Sequence, residues 1–369
     1  VCALYRGEKW EVTYGIETSY GEAPTALTTA TNVFGMFDTA TLPDPTFEYQ
    51  PFWAMNPEAR NYYVAYKGRA VSAGSIPDIV LLDGRPIFLP FTNTIAHTGE
   101  TAPYTHTIND GITLPSFRIA AVNYSNDDSS PTNLIRWFVG GKVNRATFRC
   151  DAGGMLRMSL EDMPFKMPYF KDNGANSDIT PWYDSDLAAQ TFTYPCTEPY
   201  YFSQGLIKWK VPYLGLTEVT IPSVRSFSLD VNNRLEPKYY VTTNTEKVPY
   251  EIFEGRREYR LSLQVDLVDS GSFSKDSPFL ELLNQGMNST AFTGSGMQIT
   301  FTRGADDYIK FTTPSDYTPA SCAEEQGTLL ISAGMPIVTE GVIPVTLNMT
   351  CRNMEVEIKD SLAGTSYPV

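Results

Sequence analysis

Histidine is nearly missing from this chain of 369 residues, which holds only His97 and His106. Both lie in HTGETAPYTHT, where Glu100 is the one nearby candidate for a third metal ligand. The segment reads instead as a loop with two exposed histidines, so no metal is expected. No serine stands in a GxSxG or comparable nucleophile context, and GxGxxG and Walker loops are absent. The 42 Asp and Glu residues make any single carboxylate pair uninformative. The sequence therefore offers no catalytic residue and no cofactor site, and an enzyme is not expected.

Cysteine is sparse as well. Cys2, Cys150, Cys196, Cys322 and Cys351 are odd in number, widely spaced and without a CxxC, which points to free, mostly buried thiols made in a reducing compartment. Positive charge is short: 28 Lys and Arg against the 42 acids give −14 and a pI near 4.7, with no basic run. A stable grip on nucleic acid needs a basic footprint, so only DNA sliding past is compatible. No apolar run could span a bilayer, and Arg6 comes too early for a signal peptide. Synthesis in the cytoplasm and no membrane insertion are expected.

What is present is aromatic and turn-rich, with 22 Tyr, 20 Phe, 26 Pro and 26 Gly. That composition favours strands over helices. In EGRREYRLSLQVDLVD (254–269), Tyr259, Leu261, Leu263, Val265 and Leu267 alternate with Arg260, Ser262, Gln264 and Asp266. A long strand with one apolar and one polar face follows. Similar patterns occur in PTFEYQPF, VRSFSLDV, FRIAAVNY, KVNRATFRC, MLRMSLED, MQITFTR, YIKFTT, TLLISAG, VIPVTLNMT and MEVEIKD. IVLLDGRPIFLPF reads as a short helical or turn piece. SPFLELLNQG is the best helix candidate, with Ser277 as cap, Pro278 first and Gly286 as stop.

The chain also repeats itself. KGRAVSAGSI (67–76) echoes EGRREYRLSL (254–263), Tyr62-Tyr63-Val64 echoes Tyr239-Tyr240-Val241, and Leu42-Pro43 echoes Ile221-Pro222. ATFRCDAGGMLRMSLED (146–162) parallels VTLNMTCRNMEVEIKD (345–360). The order is the same in both halves, so a tandem duplication is expected. Residues 1–163 form a first β domain and 216–369 a second, joined by an ordered, aromatic-rich connector over 164–215. Within that connector DNGANSD (172–178) lacks calcium-loop spacing and reads as an Asx-turn loop. Trp182, Tyr183, Tyr200 and Tyr201 read as packed aromatics, with a sugar-stacking platform as the alternative. The fold class expected is all-β with minor α, as two sandwich- or barrel-like units.

The ensemble resembles the major tail tube protein of tailed bacteriophages and archaeal tailed viruses, in a duplicated form. The resemblance is carried by YGIETSYGEAPT (14–25), LPDPTFEYQPF, KGRAVSAGSIPDI (67–79), YTHTINDGITLPSFRIAAV (104–122), FVGGKVNRATFRCDAGGMLRMSLEDM (138–163), PYYFSQG (199–205), and SFSLDVNNRLEPKYY with EGRREYRLSL. It implies six-membered rings whose inner sheets join into one β-barrel around a lumen, here built from three two-domain chains. It further implies head-to-tail stacking into a tube that carries DNA, with tape-measure, tail terminator and tip proteins as partners, in a virion tail assembled in the host cytoplasm. On that reading Ser226, Ser228, Asp230, Arg260, Ser262, Gln264 and Asp266 face the lumen. Mixed-charge loops at 53–69 and 232–257, carrying Arg60, Lys67, Arg69, Arg234, Glu236, Glu254, Arg256 and Arg257, reach the next ring. A polar, acid-leaning lumen would let DNA pass without stable binding. The alternative function is a non-enzymatic β-sandwich virion or surface protein that binds glycans.

Overall fold

The computed structural model describes residues 10–22, 32–53, 64–124, 133–169, 171–172, 179–180, 195, 197–211, 216–241, 247–266, 296–313, 328–334 and 342–367. The chain is all-β, and the described helical residues are two single 3-10 turns, Phe202–Gln204 and Gly364–Ser366. The helix expected at 277–286 lies outside the described residues, as do Arg60, most of DNGANSD, Trp182 and Tyr183. The piece over 80–92 is a buried series of turns, closed by Ile87 N to Gly84 O, Leu89 N to Pro86 O and Phe91 N to Phe88 O. Pro86 and Pro90 supply fixed φ but no donor, so the turns do not propagate into a helix.

One antiparallel sheet of eight strands runs through both halves of the sequence. Across it stand Thr328–Gly334, Pro344–Cys351, Glu258–Asp266, Val224–Asn232, Arg145–Asp151, Arg157–Phe165, Val64–Val80 and Thr46–Phe52. The first four belong to the second half, the last four to the first. The halves meet where Arg145–Asp151 pairs with Val224–Asn232, in register from Ser226 opposite Asp151 to Asn232 opposite Arg145.

Besides two two-stranded pairs, Lys171–Asp172 with Ile179–Thr180 and Glu236–Lys238 with Glu251–Phe253, two smaller sheets pack with the large one. Met167–Tyr169, Leu134–Gly141, Phe117–Asn123, Trp10–Ile16 and Asn32–Val33 form one of five strands. Leu216–Thr220, Gly205–Val211, Gly296–Gly304, Asp307–Thr313, Glu355–Asp360, Tyr104–Asn109 and Ala96–Thr98 form one of seven. Taken in chain order, the second half threads two outer strands, two strands of the large sheet, two outer, two of the large sheet and one outer, and the first half follows the same order with one extra outer pair, Ala96–Thr98 and Tyr104–Asn109, in the middle. The repeat is therefore a repeat of topology. By position, Arg157–Phe165 answers Pro344–Cys351 and Arg145–Asp151 answers Thr328–Gly334. This corrects the sequence match of MLRMSLED to MEVEIKD, because Glu355–Asp360 lies in the seven-stranded sheet.

The exchange between halves goes further. The hairpin Ala96–Thr98/Tyr104–Asn109 comes from the first half but pairs with Glu355–Asp360 of the second, from Tyr104 opposite Asp360 to Asn109 opposite Glu355.

Alternation explains the layering. Phe227, Leu229, Val231, Tyr259, Leu261, Leu263 and Val265 are buried, while their neighbours along the strand are partly or fully exposed. They share one core with Phe148, Phe301, Phe311, Ile358, Tyr14, Phe117 and Phe138, so all three sheets pack on one apolar layer. Phe148 lies between Phe91 and Phe311, with ring centroids 6.0 and 5.1 Å away. The repeated Gly-Arg pair has a steric cause: a Cβ at Gly255 would meet the Arg234 carbonyl oxygen at 2.4 Å, and one at Gly68 the Glu48 Cβ at 3.0 Å. Gly68 admits a facing strand and Gly255 the backbone of the facing turn at Arg234.

Candidate functional site: the polar face of the large sheet and its edges

The side of the eight-stranded sheet turned away from the core is polar along its length. Ser226, Ser228 and Asp230 on Val224–Asn232 lie level with Arg260, Ser262 and Gln264 on Glu258–Asp266. With Asp266, these are the residues placed on one face by their alternation in the sequence, and the structure brings all seven onto it. Ser262 Oγ donates to Asn348 Oδ1 at 3.0 Å, and Asn348 Nδ2 donates to Ser332 Oγ at 3.0 Å, so a hydrogen-bonded row crosses three strands.

The face is knit by ion pairs. Arg145 of the first half grips Asp230 of the second with Nε at 2.8 Å and Nη2 at 3.0 Å. Arg145 also reaches Glu161 at 3.4 Å, and Arg225 Nε stands 2.7 Å from Asp266. Arg149 pairs with Asp78, which sits at a positive φ of 55° where the strand bulges. Bidentate arginine pairs are directional and hold strands in register. The face expected to lean acidic is locally balanced by arginine. KVNRATFRC carried the missed signal, since Arg145, Thr147 and Arg149 alternate there with buried Ala146, Phe148 and Cys150.

Of the residues expected in long charged loops, Arg234, Glu254, Arg256 and Arg257 do lie between strands, whereas Lys67, Arg69 and Glu236 lie in strands. Lys67 and Arg69 belong to Val64–Val80, and Arg69 pairs with Glu48 of the neighbouring strand. Arg234, at φ 49°, pairs with Glu258 at 2.6 Å. Glu236 lies in Glu236–Lys238, which forms a hairpin with Glu251–Phe253, and it meets Lys238 at 2.7 Å. Glu254 turns inward, accepting from Lys142 Nζ at 2.5 Å and from the Leu114 amide at 3.1 Å. Arg257 does the same, bonding Asn233 Oδ1 at 2.5 Å and pairing with Asp110. Asn233 is buried and donates to Pro90 O and Val143 O at 3.1 and 2.9 Å. Glu254 and Arg257 thus join the halves, whereas Arg256 is exposed.

The second-half hairpin leans on the first half, through Ala70 N to Lys247 O at 2.6 Å and Tyr239 Oη to Ala70 O at 2.7 Å. Tyr240, Val241, Tyr250 and Phe253 remain exposed on it.

Two edges of the large sheet have no neighbouring strand among the described residues. One is Thr46–Phe52, continued along Val64–Val80 by bridges from Thr41 to Ser75 and Met36 to Val80. Phe47, Tyr49, Phe52 and Trp53 are exposed along it. The other is Thr328–Gly334, where Ile331 is 62% exposed.

His97 is exposed, as expected, though in a short strand and not a loop, whereas His106 is not exposed. His106 is fully buried in a strand, and its Nδ1 lies 2.7 Å from Nδ1 of His97 on the paired strand. Tyr200 is buried too, with its hydroxyl donating to Asp307 at 2.7 Å and Arg303 over its ring, so it is packed and not a sugar platform. Burial pushes the Cys150 thiol up to about 11 and Cys351 up to about 12, which keeps both protonated at neutral pH. Both are free and buried, as expected from spacing; Cys2, Cys196 and Cys322 lie outside the described residues. No helix among the described residues is long and apolar enough to cross a membrane. No protein-family model and no curated protein matches this chain.

Proposed function

We propose that the chain is a structural, self-assembling subunit of a hollow tube of the tail-tube kind. The observation that carries this reading is the junction between the halves. Arg145–Asp151 and Val224–Asn232 close two four-stranded units into one sheet. The topological counterparts of those two strands are Thr328–Gly334 and Thr46–Phe52, which are the two open edges. The same join, made between copies, would seat Thr328–Gly334 of one chain antiparallel to the edge Met36–Phe52 of the next. An open edge flanked by exposed aromatics is a liability in a monomer and an interface in a ring.

Closure after three chains follows from the resemblance and gives three times eight, or 24, strands. With strands ~4.8 Å apart and tilted ~40°, the barrel backbone would measure about 45–50 Å across. Its polar face would line a channel wide enough for duplex DNA. The aromatic hairpin 236–253 and the strand pair rising towards Phe52 stand at one end of the sheet, and contacts there would be heterologous and open-ended. On this reading the protein belongs to a virion tail, with a tape-measure protein setting length and terminator and tip proteins closing the ends.

Electron microscopy of the purified protein tests the proposal. Rings or tubes with three-fold symmetry and pseudo-sixfold walls are expected. Monodisperse monomers at high concentration, or glycan binding in their place, would overturn it.

A further inference from the structure

The polar face is not electrically uniform. At the end of the junction marked by Arg145 and Asn232, a shallow recess of about 910 Å³ opens on the face. Arg145, Arg256, Arg257, Arg260 and Arg352 line it. The acids that line it are Asp230 and Glu258. In a chain of net charge −14, five guanidinium groups against two carboxylates is a local inversion of sign. Arg257 is neutralised by Asp110, and Arg145 by Asp230. Arg256 has no ion-pair partner among the described residues. Arg260 is 72% exposed and stands 3.6 Å from Glu258, whose other oxygen is already held by Arg234 at 2.6 Å. That contact is too loose and too exposed to satisfy the guanidinium.

We infer that this recess binds phosphate oxyanions, and specifically the phosphodiester backbone of DNA lying along the polar face. Arg256 and Arg260 supply the fork geometry that fits phosphate, while Arg145, fixed by Asp230, keeps a share of its surface open beside them. The tracks of Arg145 and Arg260 are two strands apart, or about 10 Å. The field of the remaining acids is screened over ~8 Å at physiological ionic strength, so the local excess decides. With two or three phosphates engaged, binding is weak and lost in salt, which suits a surface that DNA must leave. The inference rests on the tube reading only for how DNA comes to that face.

The test is fluorescence anisotropy of a labelled 20-base-pair duplex against the full chain, at about 20 mM and about 200 mM salt. Inorganic phosphate and pyrophosphate are titrated in parallel. Duplex binding is expected at low salt, with a log–log salt slope of about −2 to −3. Arg256→Ala with Arg260→Ala should weaken it about tenfold or more and flatten the slope by about 2. Lys359→Ala, on the seven-stranded sheet, should change nothing. Binding of the small anions alone, lost in the same double variant, supports the oxyanion site and assigns it to small ligands. No binding of any probe, or binding undiminished in the double variant, overturns the inference. Ring formation is scored by microscopy on the same preparations: rings without binding sink the recess and spare the tube, and binding without rings does the reverse.

Discussion

His97 and His106, the two histidines of the chain, face each other Nδ1 to Nδ1 at 2.7 Å. His106 Nε2 points at two acceptors, Asp360 Oδ1 at 3.2 Å and Leu362 O at 3.0 Å, so it carries a proton. One proton then sits in the contact between the rings, and a second cannot be added without breaking it. Tyr367 caps the group, donating to Asp360 Oδ2 at 2.7 Å.

Partial burial, and then the neighbouring His106, lower the pKa of His97 below its ordinary value. A base with a depressed folded pKa is protonated more readily in the unfolded chain. Its contribution to stability is full above the unfolded pKa of ~6.5 and is lost as pH falls from there through the folded value. The thermal midpoint should therefore decline between pH 7 and pH 5. His97→Ala should flatten that decline, and an equally steep profile in the variant would refute the assignment.

Asn233→Ala removes both donors that hold Pro90 O and Val143 O and the acceptor for Arg257. Leaving these buried groups unpaired should cost about 2–4 kcal/mol in urea unfolding.

Phe148→Ala should cost about 3–5 kcal/mol, since the ring fills space between Phe91 and Phe311. The transition should stay single, because Phe148 and Phe311 come from opposite halves. Two separated transitions would show that the halves unfold independently.

Ile331→Asp places a charge on the open edge Thr328–Gly334 without touching the core. The monomer's thermal midpoint should be unchanged and ring closure abolished, as read by mass photometry and microscopy. Tyr240→Ala with Tyr250→Ala, by contrast, should leave rings intact and prevent their stacking.

Much of this was legible in the sequence, and the limits have physical causes. Period-two alternation assigned Ser226 to Asp230 and Arg260 to Asp266 to one face, because burial of Phe227, Leu261 and their neighbours forces it. The same alternation does not say which sheet a strand joins, so MEVEIKD was matched to MLRMSLED although the two occupy different layers. Charge in a loop-like segment suggested solvent for Glu254 and Arg257. Their partners Lys142 and Asp110 lie 112 and 147 residues away, beyond the reach of any local pattern. The burial of His106 was hidden for the same reason: its carboxylate partner is 254 residues downstream.

That last separation bears on synthesis. Among the described residues, the hairpin Ala96–Thr98/Tyr104–Asn109 finds its ladder partner in Glu355–Asp360. As the chain leaves the ribosome at ~5–20 residues per second, the edge of Tyr104–Asn109 waits for tens of seconds with nothing to pair against. The first half is thus translated early but finished last. A message cut between the repeats would yield two fragments, each missing a strand that the other carries.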